Sequence, residues 1–419
     1  MSERVLICGA GVAGSIAAFY LGKADFQVTV VERSKAEQKA GQGIEIEEPA
    51  LSVVKHMGIL DTLKSIKTAE EGTDFVDQYS RSYGLYKTGG PSPTGELELM
   101  RGDLTEVLYK AADAHPNVTY LFETTVQSLE QTQDKVIVDL ENRSTRTTKT
   151  EEFDLVVGAD GVKSRTRQLA MGSPEELNCF KAVGAFVAYF SIPKQDQDWP
   201  YSRLCHFPGR KVLWMRPVSK ASDVTSVYFI HVNKDVPALR RASAAGDRMK
   251  QKEAWAEVYS GLGWEVPRVI EQMMKAENFY SDELMQVKLK KWSQARVVLV
   301  GDAAWAPTPF TGEGNQLAII GAFVLAQQLS RNRTPAAFDV YEERLRSYVE
   351  DAQNIPLGGY APYVLVPQTS WGVWLFRTLI YVGSWIVRFM AWTRTPDSSG
   401  GEHKEFDLQI EKVETKKAR

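Results

Sequence analysis

The stretch "RVLICGAGVAGSIAAFYLGKADFQVTVVER", residues 4–33, constrains the fold more than any other in the chain. An apolar run passes through a glycine turn into a helix of small residues and a second apolar run that ends on an acid. All of this fits within one βαβ unit. Gly9, Gly11 and Gly14 have the GxGxxG spacing, and Ala13 lies among them. Glycines at those positions permit a tight turn, close approach of backbone to a pyrophosphate, and helix–strand packing. The helix start behind them suits anionic phosphates. Glu32 and Arg33 close the second strand, where a carboxylate can accept from ribose hydroxyls. The pattern predicts a Rossmann-like dinucleotide site. By itself it also admits a nicotinamide dehydrogenase, or a βα turn without ligand.

A second segment narrows the choice. In "ARVVLVGDAAWAPTPFTGEGNQLAIIGAFVLA" a buried-looking strand stops at Asp302, crosses a proline-rich turn through Pro309, Gly312 and Gly314, and opens a small-residue helix at Asn315. A carboxylate at a strand end can accept from the hydroxyls of a ribityl chain. Glycines at a helix start offer N–H groups and a positive dipole end to a ring that becomes anionic on reduction. The turn therefore looks built for a flavin, the alternative being a loop that caps a core helix.

Between these ends, "ELMRGDLTEVLYKAADA" reads as a helix starting near Arg101, and "FDLVVGADGVKSRTRQ" repeats strand, Asp-Gly turn and helix around Asp160. From about 180 to 290 the texture changes to aromatic and β-branched runs such as "AVGAFVAYFSI" and "VTSVYFIHV", which predict an antiparallel sheet. The expected organisation is a discontinuous FAD-binding α/β domain over 1–75, 101–175 and 291–350, with an inserted antiparallel β-sheet substrate domain over 76–100 and 176–290. C-terminal apolar helices over 351–395 and a disordered charged tail over 396–419 complete it.

Together "GAGVAG" with Glu32 and Arg33, Arg101 in "LMRGDL", "GADGVKSRTR" with Asp160, and "GDAAWAPTPFTGEGNQLA" with Asp302 resemble the class A flavoprotein monooxygenases, the para-hydroxybenzoate hydroxylase-like family. The resemblance covers roughly residues 1–350. It implies FAD bound by these motifs and NADPH or NADH used transiently without a fold of its own. It also implies O2 activated as a flavin C4a-hydroperoxide that hydroxylates or epoxidises a small organic molecule, in the manner of secondary metabolism. The alternative within flavoenzymes is a reductase or dehydrogenase acting on a prenyl-like substrate. "AGQGIEIEEPALSVVKHMGILDTL" is similar to the family's second flavin-contacting segment, with Gly43 allowing close approach. Trp305, Glu313, Gln316 and Gly321 depart from the residues frequent there.

No catalytic residue is required by chemistry that the cofactor carries. Glu45 and Glu47, as acids or bases or polar contacts, and His206 and Tyr228 in the sheet are candidates, against the alternatives of solvated carboxylates and core aromatics. Aromatic strands point to a hydrophobic or aromatic substrate. A net charge of −3 leaves no basic footprint for nucleic acid. Five scattered histidines show no metal-ligand spacing. Three dispersed cysteines and a start that runs straight into a strand predict a reducing, cytoplasmic setting. "WGVWLFRTLIYVGSWIVRFMAW", residues 371–392, predicts an amphipathic helix with Arg377, Ser384 and Arg388 on one narrow face. Such a helix either touches a membrane surface or packs its wide apolar face on its own domain.

Overall fold

The computed structural model describes residues 2–35, 42–68, 70–88, 97–198, 200–219, 222–393 and 406–409, with side chains of the terminal helix described to Ile386. The predicted dinucleotide domain is centred on a six-stranded sheet. Its order is Ser293–Gln294, Val297–Leu299, Leu155–Gly158, Arg4–Cys8, Gln27–Val31, Val118–Leu121, parallel apart from the first pair. These strands are covered on both faces, which explains why they read as continuous apolar runs rather than alternating ones. Ile7 pairs with Val157, which pairs in turn with Val298. That register brings Gly9, Asp160 and Asp302 to the same carboxyl end of three adjacent strands, the usual place for a ligand in such sheets.

The substrate sheet has seven strands, ordered Tyr280–Val287, Phe180–Pro193, Val224–His231, Lys211–Pro217, Ser202–Phe207, Gly72–Val76, Ser82–Lys87. Two details differ from the sequence reading. The sheet starts at Gly72 rather than 76, because Thr73 to Val76 pair with Ser202 to Cys205, and that pair is parallel in an otherwise antiparallel sheet. One face is packed by the helices Pro237–Ala245, Arg248–Tyr259 and Val266–Lys275, which bury Trp255 and Tyr259 against Phe229. The other face looks toward the dinucleotide domain. A two-stranded ribbon, Gly43–Glu45 with Glu98–Met100, sits between the two and leads directly into Arg101 at the start of the helix Arg101–Asp113.

The terminal helix Ser370–Thr393 packs on its own domain through a mixed face, in which Val373 is buried, Phe376 meets His206 and Ile380 lies with Tyr86 against the sheet. Arg377 and Ser384 point inward. The Arg377 guanidinium donates to the His206 carbonyl at 3.0 Å and lies over the Tyr83 ring, while Ser384 is buried. Trp371, Trp374, Leu375, Leu379, Val382, Trp385 and Ile386 face outward. The Arg388 and Trp392 side chains lie outside the described residues. Among the described residues no helix is long and apolar enough to cross a membrane.

Within the segment read as a disordered tail, 406–409 packs on the domain. Phe406 meets Tyr348, and the Gln327 amide donates to the carbonyls of Leu408 and Gln409. Two apolar residues in a charged run suffice for this, since Leu408 is buried.

Candidate active site

The glycine turn is locked from one side and free on the other. Gly9, at φ 108°, has no room for a side chain, since a Cβ would stand 2.5 Å from the Ala159 carbonyl oxygen. A Cβ on Gly14 would come within 1.9 Å of the Gly9 oxygen. A Cβ on Gly11, by contrast, would meet nothing within 4 Å. Gly11 therefore keeps a cradle clear above the N-terminus of the helix Val12–Lys23, where unpaired amides and the helix dipole favour phosphate. Glu32 closes that cradle: its carboxylate accepts from the Ala10 N–H at 3.1 Å and the Ser34 N–H at 3.0 Å. Arg33 is exposed beside it. Ala13 packs toward Gly301, whose added Cβ would lie 3.0 Å from the Ala13 Cβ, so the first and last motifs touch.

Asp302 is half-buried at the start of a short helical turn. Burial raises its carboxyl above the usual carboxylate range, and Arg101 opposes the rise. Arg101, exposed at its helix start, donates its backbone N–H to the Gln42 carbonyl. Beyond Asp302, Pro309 is exposed and Gly312 takes a left-handed φ of 72° with no atom in reach of a Cβ. Gly314 and Asn315 open the helix Gly314–Arg331, and the Asn315 and Gln316 side chains donate to the Glu45 carbonyl at 3.3 and 3.5 Å. The buried Gln316 Oε1 and Thr308 Oγ1 have no hydrogen-bond partner among the described residues. Orphaned polar atoms beside two glycine cradles and a carboxylate fit a flavin nucleotide laid along this groove.

Asp160 orders its own turn. Its carboxylate accepts from the Thr166 N–H at 2.9 Å and from the Thr166 and Ser164 hydroxyls, so it organises the start of the helix Arg165–Met171. Sequence reasoning passed over Arg167 in the same helix. Its side chain is fully buried and donates to the Ala303 and Val162 carbonyls at 2.8 and 2.7 Å, tying the Asp-Gly turn to the Gly-Asp motif. The unusual Trp305 and Gly321 prove to be one packing pair. Trp305 is buried against Trp292, and a Cβ on Gly321 would collide with its ring at 2.6 Å.

Over the groove the sheet presents a row of rings. Trp214, Tyr228, Tyr189 and Tyr280 are cross-strand neighbours on one face. Tyr189 and Tyr228 meet edge to face at 4.9 Å. The Tyr228 hydroxyl accepts from the Gly43 N–H at 2.7 Å, joining the sheet to the ribbon. Tyr280 ends the row with its residue 56% exposed, while its hydroxyl is pushed up by its surroundings and then by Asp282. His206 is buried under the terminal helix against Phe376. Burial first, then Arg377, brings its imidazole down to about 3, so it is neutral at physiological pH. Glu45 is half-buried in the ribbon and Glu47 is exposed beyond it.

A buried ion cluster was not legible in the sequence. Arg216, next to Trp214 on the groove-facing side, donates to Glu70 and Glu98, and all three side chains are almost wholly buried. Burial pushes the Glu98 carboxyl up to about 7, with Arg216 pulling it back and Glu70 adding to the rise. Because the folded value lies above the ordinary one, this proton contributes stability that is full below the ordinary carboxyl value and is lost as pH rises through about 7. Glu98→Gln is therefore expected to flatten the fall in unfolding free energy between mildly acidic and mildly alkaline pH by about 1–3 kcal/mol, read from denaturant titrations. An equal slope in both proteins would disprove the assignment.

The FAD binding domain family model matches residues 2–356. Monooxygenase CTB7 of Cercospora beticola is 34% identical over 397 residues, covering 92% of this chain and 93% of its own length. A flavin-dependent monooxygenase of an unknown prokaryotic organism is 32% identical, over 84% of this chain and 88% of its own. Among solved structures, tetracycline destructase Tet(55) superposes with a TM-score of 0.76 at 28% identity, across 91% of this chain and 96% of its own. Klebsiella pneumoniae HpxO complexed with FAD and uric acid shares the fold at a TM-score of 0.66 and 18% identity, across 93% of this chain and 96% of its own. With a matching family model over most of its length, relatives of like length and a groove shaped for a flavin nucleotide, the chain belongs to the class A FAD-dependent monooxygenases.

Proposed function

We propose that the protein uses NADPH or NADH and O2 to oxygenate a hydrophobic aromatic small molecule, as a tailoring step of secondary metabolism. The observation that carries the substrate class is the row Trp214, Tyr228, Tyr189 and Tyr280 above the groove. FAD, when bound, takes reducing equivalents from the nicotinamide and delivers one atom of O2 to the substrate. Glu32 would hold the adenosine ribose and Gly9, Gly11 and Gly14 the pyrophosphate. Asp302 and Arg101 would hold the ribityl chain, and the amides from Gly312 to Asn315 the ring edge that gains negative charge. The Tyr228–Gly43 hydrogen bond fixes the sheet over the ring, and the aromatic row excludes water from the reacting face.

Anaerobic reduction by each nicotinamide, with and without aromatic candidates, followed by aeration under 18O2, tests the reading. Product carrying one labelled oxygen supports it. Substrate-independent oxidation with no labelled product from any aromatic candidate would sink it.

The outward face of the terminal helix extends the reading. Trp371, Trp374 and Trp385 are 67%, 59% and 58% exposed on one apolar stripe. Tryptophan favours a water–lipid boundary, and the stripe would rest on a membrane surface from which a lipophilic substrate is taken. The expected result is co-flotation with liposomes, reduced severalfold in a Trp371→Ser, Trp374→Ser, Trp385→Ser variant. Protein left at the bottom of the gradient with neutral and anionic vesicles alike removes this part of the proposal.

A further inference from the structure

Arg216 is the one buried arginine or lysine among the described residues of the seven-stranded sheet, and it lies on the side that faces the groove. In that position a guanidinium would ordinarily be a receptor for a substrate carboxylate. Here two of its three nitrogens already face carboxylates. One Nη carries both Glu70 and Glu98, the Nε faces Glu70 at 3.3 Å, and the plane lies 4.6 Å from the Trp214 ring centre. Gly43 seals the remaining side, since a Cβ there would stand 2.8 Å from the other Nη and 2.6 Å from a Glu98 oxygen. The second Glu98 oxygen is buried with no hydrogen-bond partner among the described residues.

Two carboxylates on one guanidinium give a cluster that is neutral when it holds one proton and negative when it holds none. In neither state does it offer a positive charge. Of the other guanidiniums on this side, Arg377 lies on the His206 carbonyl and the Tyr83 ring, and Arg101, exposed at its helix start near Asp302, is assigned to the ribityl chain in the reading above. A carboxylate brought under the aromatic row would be desolvated without a counter-charge, which is strongly unfavourable. A neutral ring meets no such penalty.

We infer that the Glu70–Arg216–Glu98 cluster is a specificity determinant that makes the pocket select uncharged aromatic molecules and reject their carboxylates. The inference rests on the aromatic-substrate reading above. Its test uses the FAD-loaded protein at neutral pH, titrated with 2-naphthol and with 6-hydroxy-2-naphthoate, which share a ring and differ by one carboxylate. Binding is followed by perturbation of the flavin spectrum and by stimulation of NADPH oxidation. Wild type is expected to bind the naphthol at least about tenfold more tightly. Glu70→Gln with Glu98→Gln keeps shape and hydrogen bonding but frees the charge of Arg216, and the gap should shrink by about tenfold or more through tighter binding of the naphthoate. Glu98→Gln alone leaves Arg216 neutralised by Glu70 and is the control in which the ratio changes little, while Glu70→Ser with Glu98→Gln serves if the first double variant does not fold. A wild type that binds the naphthoate equally well or better overturns the inference, as does an unchanged ratio in a double variant that retains FAD. If FAD-loaded wild type binds neither compound, the aromatic-substrate reading fails and the inference falls with it.

Discussion

Gly14→Ala is expected to yield a protein without bound FAD and destabilised by more than about 3 kcal/mol, the range reached when backbone must move to relieve an overlap. The new Cβ would stand 1.9 Å from the Gly9 carbonyl oxygen, and that oxygen has no room to yield. Gly9 donates its N–H to Val31 and is itself pressed against the Ala159 carbonyl. Relief would have to displace the first strand from its neighbours or the helix Val12–Lys23 from the sheet, and either opens the phosphate cradle. Thermal unfolding and the flavin absorbance of the purified variant check this together. A variant that melts with wild type and stays yellow would show that the turn accommodates a side chain after all. Gly11→Ala is the contrasting control. Its Cβ meets no protein atom, so stability should change little while FAD affinity falls.

Asp302→Ala is expected to lose FAD on dialysis, with affinity down ten- to a hundredfold, about 1.5 to 3 kcal/mol for one charge-assisted contact. The carboxylate is held half-buried beside Arg101, an arrangement that costs desolvation unless hydroxyl donors from a ligand repay it. Asp302→Asn keeps the size and one acceptor, so it should retain more flavin than the alanine variant. Equal flavin content in wild type and Asp302→Ala after exhaustive dialysis would take the ribityl role away from this residue. Glu32→Ala should weaken binding less, because its carboxylate also serves the Ala10 and Ser34 amides of its own loop.

The parts legible in the sequence are those set by near neighbours along the chain. The 4–33 unit announces itself because strand period, glycine turn and helix period follow one another without interruption, and each depends only on local backbone preference. The same holds for the turn at Asp302 and the helix behind Gly314. Backbone conformation at Gly9 and Gly312 could be anticipated, since a left-handed φ is what glycine permits.

Tertiary structure alone decided how distant side chains meet. Asp160 reads as a ligand group, and only the structure shows that its carboxylate also accepts from Thr166 and Ser164 within its own turn. Trp305 and Gly321 looked like two separate departures until packing showed that one makes room for the other. The helix Ser370–Thr393 has an amphipathic pattern that fixes which residues share a face, but a pattern cannot say which face turns inward. In the fold the inward face holds Val373, Phe376 and Ile380 together with Arg377, whose guanidinium meets the His206 carbonyl and the Tyr83 ring. Glu70, Glu98 and Arg216 come from three separate elements, and no spacing links them. Periodicity determines which residues can share a surface. Which charges and rings those surfaces meet is decided only when sheet, ribbon and helix close on one another, because burial then makes every unpaired polar group costly and leaves few arrangements that satisfy them all.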